Sequence, residues 1–266
     1  MLKTGMNKLQ FFTDITTNVS NLCLLHIDKY QDSRKYNKLQ LFVDPGVHSL
    51  MKFPEYPKID LLHKLASNPS LMGKNEHISI DYPGDMFPER TAEFIERTFL
   101  NNLKYKYNEQ YICTIQFHLS NCGIKTKTWI SEARGDLSDF ASFKHNFERV
   151  ELILKNPNKI LGIGNICRIM HTNPLLDSIF NYIISKKDSI TNKIHLYGPA
   201  LRIIKKYVPL LQSAGFEVSV DSTKWTRAVN NELKYAHGVC CRKNTRDLYF
   251  MEYIKHIEKH NIKVIF

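Results

Sequence analysis

Three aspartates each follow a short apolar run: Asp44 after LQLFV, Asp81 after ISI and Asp221 after VSV. In a chain of alternating strands and helices, such positions fall on the C-terminal rim of a parallel sheet or barrel, where barrel enzymes keep their chemistry. Two carboxylates can divide nucleophile and acid/base duties, and a third can read a substrate by hydrogen bonds. Pro45-Gly46 makes a tight turn after Asp44, so its carboxylate projects at the strand end. Asp81 stands in IDYPGD, where Asp85 reads as the ordinary turn or N-cap residue. Asp44 and Asp221 also have plainer readings, as a turn cap and a helix N-cap respectively. Convergence of all three on one rim is what favours chemistry.

Gln116 sits inside the apolar run TIQFHL. A buried carboxamide there is either a satisfied core amide or a donor–acceptor pair for a base or sugar. Gly162 and Gly164, in LGIGNICR, fall at a strand end, where missing side chains let backbone amides approach a flat ligand. Close packing would explain the same glycines. His118, His171, His195 and His237 have no metal-ligand spacing and read mostly as surface or packing residues. No metal is expected from the pattern.

The elements that must position these residues alternate along the chain. Strand-like runs occur at 9–12, 22–27, 39–43, 77–80, 111–117, 159–163, 193–197 and 216–220. Helical spacing joins Phe140, Phe143, Phe147, Val150 and Leu154, then Leu175, Ile179 and Ile183, then Leu201, Ile204, Val208 and Leu211. A further helix follows Pro88. The longest irregular stretch, 123–139, reads as a rim loop. This alternation predicts one (β/α)8 barrel, a TIM barrel, over residues 1–266. An open doubly wound sheet is the competing layout, and the dinucleotide-binding version of it lacks its G-x-G-x-x-G fingerprint.

The chain is 43% hydrophobic, which supports a full core. Its 37 Lys+Arg against 26 Asp+Glu give a formal charge of +11, suited to nucleic-acid phosphates or to a solvated basic surface. No apolar run approaches membrane-spanning length and the N-terminus lacks a signal-like core, so a soluble protein of the cytoplasm is expected, without membrane partners. The six cysteines form no C-x2-C pair, which argues against a zinc ribbon or a disulfide framework.

Taken in order, VDPG, IDYPGD, TIQ, LGIGNICR, HLYGPA and GFEVSVDSTKWTR resemble the tRNA-guanine transglycosylase superfamily of queuine/archaeosine type, over about residues 39–230. Members of that family are (β/α)8 barrels that exchange a guanine in nucleic acid for a 7-deazaguanine. The resemblance implies that Asp221 is the nucleophile and Asp44 the general acid/base. It implies base-recognising roles for Asp81 and Gln116, a base-pocket backbone at Gly162 or Gly164, and a nucleic-acid contact for Arg227. The tail holds only Cys240-Cys241 in place of the C-x-C-x2-C…H zinc subdomain of the tRNA enzymes, and PGVHS replaces their glycine-serine-rich turn. The likeness is therefore closest to the branch that inserts 7-deazaguanines into DNA in phages and bacterial genomic islands.

That branch implies a pentosyltransferase without a cofactor, acting on DNA with a base such as preQ0. If the source is viral, the host cytoplasm is the expected location. A carboxylate attacking C1′ and a second carboxyl serving the departing and arriving bases amount to a retaining double displacement. The target base must leave its stack to reach the rim. The alternatives are the same chemistry on tRNA, a non-catalytic basic nucleic-acid-binding barrel, and an unrelated barrel hydrolase whose aspartates hold a metal.

Overall fold

The computed structural model describes residues 8–14, 22–27, 30, 40–46, 50, 55–83, 88–120, 136–169, 173–221 and 246–266. Its first half runs β1 (Leu9–Asp14), β2 (Leu22–His26), β3 (Gln40–Asp44), α1 (Ile59–Ser67), β4 (Glu76–Ile78), α2 (Thr91–Lys104) and β5 (Cys113–Ile115). The second half runs α3 (Leu137–Leu154), β6 (Leu161–Ile163), α4 (Pro174–Ser185), β7 (Lys193–Tyr197), α5 (Leu201–Ser213), β8 (Glu217–Asp221), α6 (Arg246–Glu258) and β9 (Val264–Ile265). Every strand-like run of the sequence contains a strand. Helices α1 and α6 and strand β9 have no counterpart among the periodic runs named above.

The chain is a mixed α/β fold on a parallel sheet. The strand order is β4-β3-β2-β1-β8-β7-β6-β5, with β9 beside β1. In-register pairs include Phe12 with Asp221, His26 with Asp44, and Tyr197 with Asp221. The two ends of this order also meet. A parallel bridge joins Ile78 to Tyr111, with the Ile78 N–H donating to the Gln110 carbonyl at 3.0 Å and the Ile112 N–H to the Ile78 carbonyl at 2.9 Å.

Period-2 alternation divides the strand residues into two sets. Leu9, Phe11, Ile115, Ile163, Leu196 and Val220 pack in one cluster with the apolar stripes of α3, α4, α5 and α6. Leu25, Leu41, Val43, Ile78 and Ile80 pack with α1 and with Phe94 of α2. The other set, Phe12, Leu22 and Phe42 with Ile112 and Ile160 just ahead of β5 and β6, forms a third and smaller cluster.

Local sequence explains several helix starts. Asp136 caps α3, accepting from the Ser138 N–H at 2.8 Å while Asp139 accepts from the Asp136 N–H at 3.0 Å. This corrects the reading of 123–139 as wholly irregular: 136–139 begins a helix, and 121–135 lies outside the described residues. Asn173 caps α4 at the Leu176 N–H, with Pro174 in the first turn.

Polar side chains of α2 stitch the place where β4 and β5 diverge. The Asn102 amide donates to the Thr114 carbonyl at 2.7 Å and accepts from the Thr114 N–H at 3.1 Å. Asn101 donates to the Ile80 carbonyl, and Thr98 accepts from the Tyr82 N–H, both at 2.8 Å. These bonds satisfy backbone groups that a longer strand pairing would have used. They hold residues 80–82 beyond β4, and Asp81 with them.

At the opposite end, the Lys159 ammonium is fully buried and donates to the carbonyls of Tyr105, Asn108 and Tyr111. Among the described residues, no helix is long and apolar enough to cross a membrane.

Candidate active site

Asp44 and Asp221 are the last residues of β3 and β8, and Asp81 stands three positions past the end of β4. Because the strands are parallel, all three carboxylates lie toward the same C-terminal ends. The turn after β3 holds Asp44: its Oδ1 accepts from the Gly46 N–H at 2.8 Å, and Gly46 takes a φ of 83°, which favours glycine. This is the turn that Pro45-Gly46 predicts, and it leaves Asp44 partly exposed.

Asp81 is 5% exposed and closely bonded. Its Oδ1 accepts from the Ser79 hydroxyl at 2.7 Å and its Oδ2 from the Gln116 amide at 2.8 Å. The Tyr56 hydroxyl donates to the Asp81 backbone carbonyl. Burial pushes the Asp81 carboxyl above the usual carboxylate range. The Ser79 and Gln116 bonds oppose that push, and the charge of Asp44 adds to it. Asp44 and Asp81 therefore share one electrostatic neighbourhood. Ser79, Gln116 and its own backbone N–H occupy part of the Asp81 carboxylate's acceptor capacity, and what is left can accept from a ligand's N–H.

The glycines acquire a packing reason. A Cβ on Gly164 would fall 2.4 Å from the Gln116 amide carbon. Gly164 thus makes the space in which Gln116 reaches Asp81, while its own N–H donates to the Ile115 carbonyl at 2.9 Å. A Cβ on Gly162 would meet Thr114 Oγ1 at 2.8 Å, and Ile112 and Tyr197 at 2.9 Å. Both sites admit only glycine without moving neighbours.

Asp221 has one oxygen held. Its Oδ1 accepts from His195 Nε2 at 3.1 Å and from the Gly198 N–H at 3.0 Å. No described residue donates to Oδ2. His195, among the histidines read mostly as surface or packing residues, does pack, and it bonds as well. It is fully buried, stacks on Phe42 at 4.4 Å between ring centroids, and meets Ser219 Oγ through Nδ1 at 2.9 Å. The signal was available: in KIHLY, period 2 puts His195 on the same face as Tyr197, and His195 stands three residues before the glycine that bonds Asp221. Tyr56 was likewise missed, since nothing in YPKID marks it. Of the other histidines, His118 is exposed and pairs with Asp139, while His171 and His237 lie outside the described residues.

Of the residues expected at the site, Asp81, Gln116 and Gly164 are in direct contact. Asp44 couples to Asp81 through charge, and Asp221 stands at the end of β8 with His195. Gly162 packs among Thr114, Ile112 and Tyr197, whose hydroxyl lies 3.1 Å from Thr114 Oγ1. Arg227 lies outside the described residues. Among those described, no three His, Cys, Asp or Glu side chains cluster closely enough to hold a metal ion.

His77 in β4 makes the stability of the fold depend on pH. Its ring lies 5.4 Å from that of Phe42, and its Nδ1 is shut off from solvent with no partner among the described residues. Burial lowers its pKa from 6.5 to about 4, with Lys193 and His195 pushing the same way. The unfolded ring takes up a proton near 6.5, whereas the folded ring does so only near 4. Stability is therefore present above pH 6.5 and is lost as pH falls through that window, by up to about 3 kcal/mol. His77→Phe is expected to flatten this loss in urea denaturation at pH 7 and pH 4. Equal losses in variant and wild type would contradict it.

Comparison of the chain with protein-family models, with characterised proteins and with solved structures finds no match.

Proposed function

We propose that this chain is a base-exchange transglycosylase that replaces guanine in DNA with a 7-deazaguanine, such as preQ0, through a covalent Asp221–sugar intermediate. The observation that carries the reading is the state of Asp221. One carboxylate oxygen is fixed by two donors and the other accepts from no described residue, at the strand ends where Asp44 and the Asp81–Gln116 pair also stand.

The reading includes closure of the sheet as a (β/α)8 barrel. Supporting it are the Ile78–Tyr111 bridge between the two ends of the strand order, and the small inner cluster of Phe12, Leu22, Phe42, Ile112 and Ile160. The bridge would place β4 beside β5 and bring Asp81 and Gln116 onto one rim with Asp44 and Asp221.

In the exchange, Asp221 Oδ2 bonds to C1′ as the C1′–N9 bond breaks and its electron pair passes to guanine N9. Asp44 supplies the proton that N9 takes up. The incoming base then returns a proton from its own N9 to Asp44, attacks C1′, and releases Asp221 as a carboxylate. Configuration is retained, and the phosphodiester backbone is untouched. The segment that follows Asp221, 222–245, holds Lys224, Arg227, Lys234, Arg242 and Lys243 against Glu232 alone. Cations attached to the nucleophile's strand suit a phosphate backbone delivered to that strand end.

Asp81 and Gln116 would read the base. A carboxylate accepts from guanine N1–H and from its exocyclic amine, a register no other base offers. Asp81→Ala is expected to cost about 1.5–3 kcal/mol of base affinity, roughly tenfold to a hundredfold. Competition by free guanine and a 7-deazaguanine against adenine measures this. Unchanged competition would return Asp81 to a structural role.

The test of the reading is exchange of labelled guanine from matched DNA and tRNA, with and without a chelator. Exchange on DNA that survives chelation is expected. Phosphate contacts cannot separate DNA from RNA, so the choice of DNA rests on the resemblance. Exchange on tRNA alone would move the activity to RNA, and loss of exchange on chelation would overturn the metal-free mechanism.

A further inference from the structure

Resting on that reading, we infer that His195 is a positioning residue for Asp221, and that its largest effect falls on the release of the sugar rather than on its capture. Three side chains stand in sequence: Ser219 Oγ is 2.9 Å from His195 Nδ1, and His195 Nε2 is 3.1 Å from Asp221 Oδ1. A carboxylate can only accept, so Nε2 carries the hydrogen and donates to Asp221. The Ser219 hydroxyl stands against Nδ1 and also donates to the Ile194 carbonyl at 3.2 Å, so it steadies the ring from the side away from Asp221. The ring plane is held by stacking on Phe42, with centroids 4.4 Å apart and planes 20° apart, and by the edge contact with Tyr197 at 4.6 Å. The Gly198 N–H completes the grip on Oδ1 at 3.0 Å.

The asymmetry follows from charge. Oδ1 keeps its donors throughout, but the carboxylate carries its negative charge only before capture of C1′ and after release. In the covalent intermediate, Oδ1 is an ester carbonyl oxygen and its hydrogen bonds are weaker. Breaking the Oδ2–C1′ bond returns the bonding pair to the carboxylate while N9 of the incoming base bonds to C1′ and gives up its proton to Asp44. Donors fixed on Oδ1 stabilise that developing charge without reorganisation. During capture the same donors hold the reactive rotamer while losing some of their strength. Their removal therefore slows release more than capture, and the intermediate accumulates.

His195→Phe keeps the ring stack and removes the donor. Its exchange rate should fall about 10- to 100-fold. KM for the strand should fall along with the rate, because the linked intermediate accumulates, and the fraction of protein linked to the strand in the steady state should rise above that of wild type. His195→Gln, whose amide can donate to the same oxygen, should recover most of the rate and lower the linked fraction. Ser219→Ala, which retains both His195 and Asp221, should shift the linked fraction in the same direction as His195→Phe but less. It keeps the test decisive if His195→Phe melts below the assay temperature.

A fall in rate with no rise in linked fraction, or a glutamine variant no better than phenylalanine, would overturn the positioning role and leave the transglycosylase reading intact. Wild-type protein that exchanges no base and links to no strand would overturn both.

Discussion

Asp221→Asn is expected to abolish base exchange, by on the order of a thousandfold or more, while the protein stays folded. The carboxamide matches the carboxylate in shape and can still accept at Oδ1 from His195 and Gly198, which hold that atom at 3.1 and 3.0 Å. It lacks the anionic oxygen that must bond to C1′, so no covalent intermediate forms. Thermal melting checks the fold, and release of labelled guanine checks the chemistry. A variant that exchanges at the wild-type rate would remove Asp221 from the reaction and leave it as the strand-end anchor of Gly198.

Asp44→Asn is expected to slow exchange by about 10²–10⁴-fold without weakening attachment to DNA. The substitution can still accept from the Gly46 N–H, so the turn after β3 persists. What it removes is a group that gives a proton to the departing base and recovers one from the arriving base. A departing base that needs no protonation would release normally from the variant. A preprotonated or better leaving base in the DNA should therefore recover part of the capture rate but not the entry of the new base. Loss of DNA attachment in Asp44→Asn, or exchange at the wild-type rate, would make Asp44 structural.

Much of the fold was legible because period 2 and period 3.6 are both strong here. Runs such as KIHLY and FEVSV map onto β7 and β8 within a residue, and Phe140 to Leu154 onto α3. The strand ends of Asp44 and Asp221 could be read for the same reason: each closes an apolar run. Asp81 was harder to place. Regular pairing of β4 stops at Ile78, and Thr98, Asn101 and Asn102 of α2 carry the backbone bonds beyond it. Those polar residues interrupt the apolar pattern of α2 although Thr98 and Asn102 face inward, and no periodicity announces a side chain that substitutes for a strand. Strand β9 is two residues long, too short for any pattern.

The site was half legible. Carboxylates, Gln116 and the glycines could be singled out by type and by position at strand ends. The reason for Gly164 emerges only in three dimensions, where Gln116 occupies its missing side chain on the way to Asp81. Metal-ligand spacing carries no signal for His195, whose partners are a carboxylate and a hydroxyl on β8. Such a partner lies 26 positions away in sequence and becomes a neighbour only through the parallel β7–β8 register.

The most direct test of the central claim is to locate the covalent bond. Wild-type protein is mixed with a guanine-containing DNA strand in the absence of an incoming base, denatured, digested with protease and nuclease, and the peptides are weighed by mass spectrometry. The account predicts a deoxyribose-phosphate adduct on the peptide that contains Asp221, absent from Asp221→Asn and discharged when a 7-deazaguanine is added before denaturation. An adduct on Asp44 or on any other residue, or guanine release with no adduct on Asp221, would contradict it.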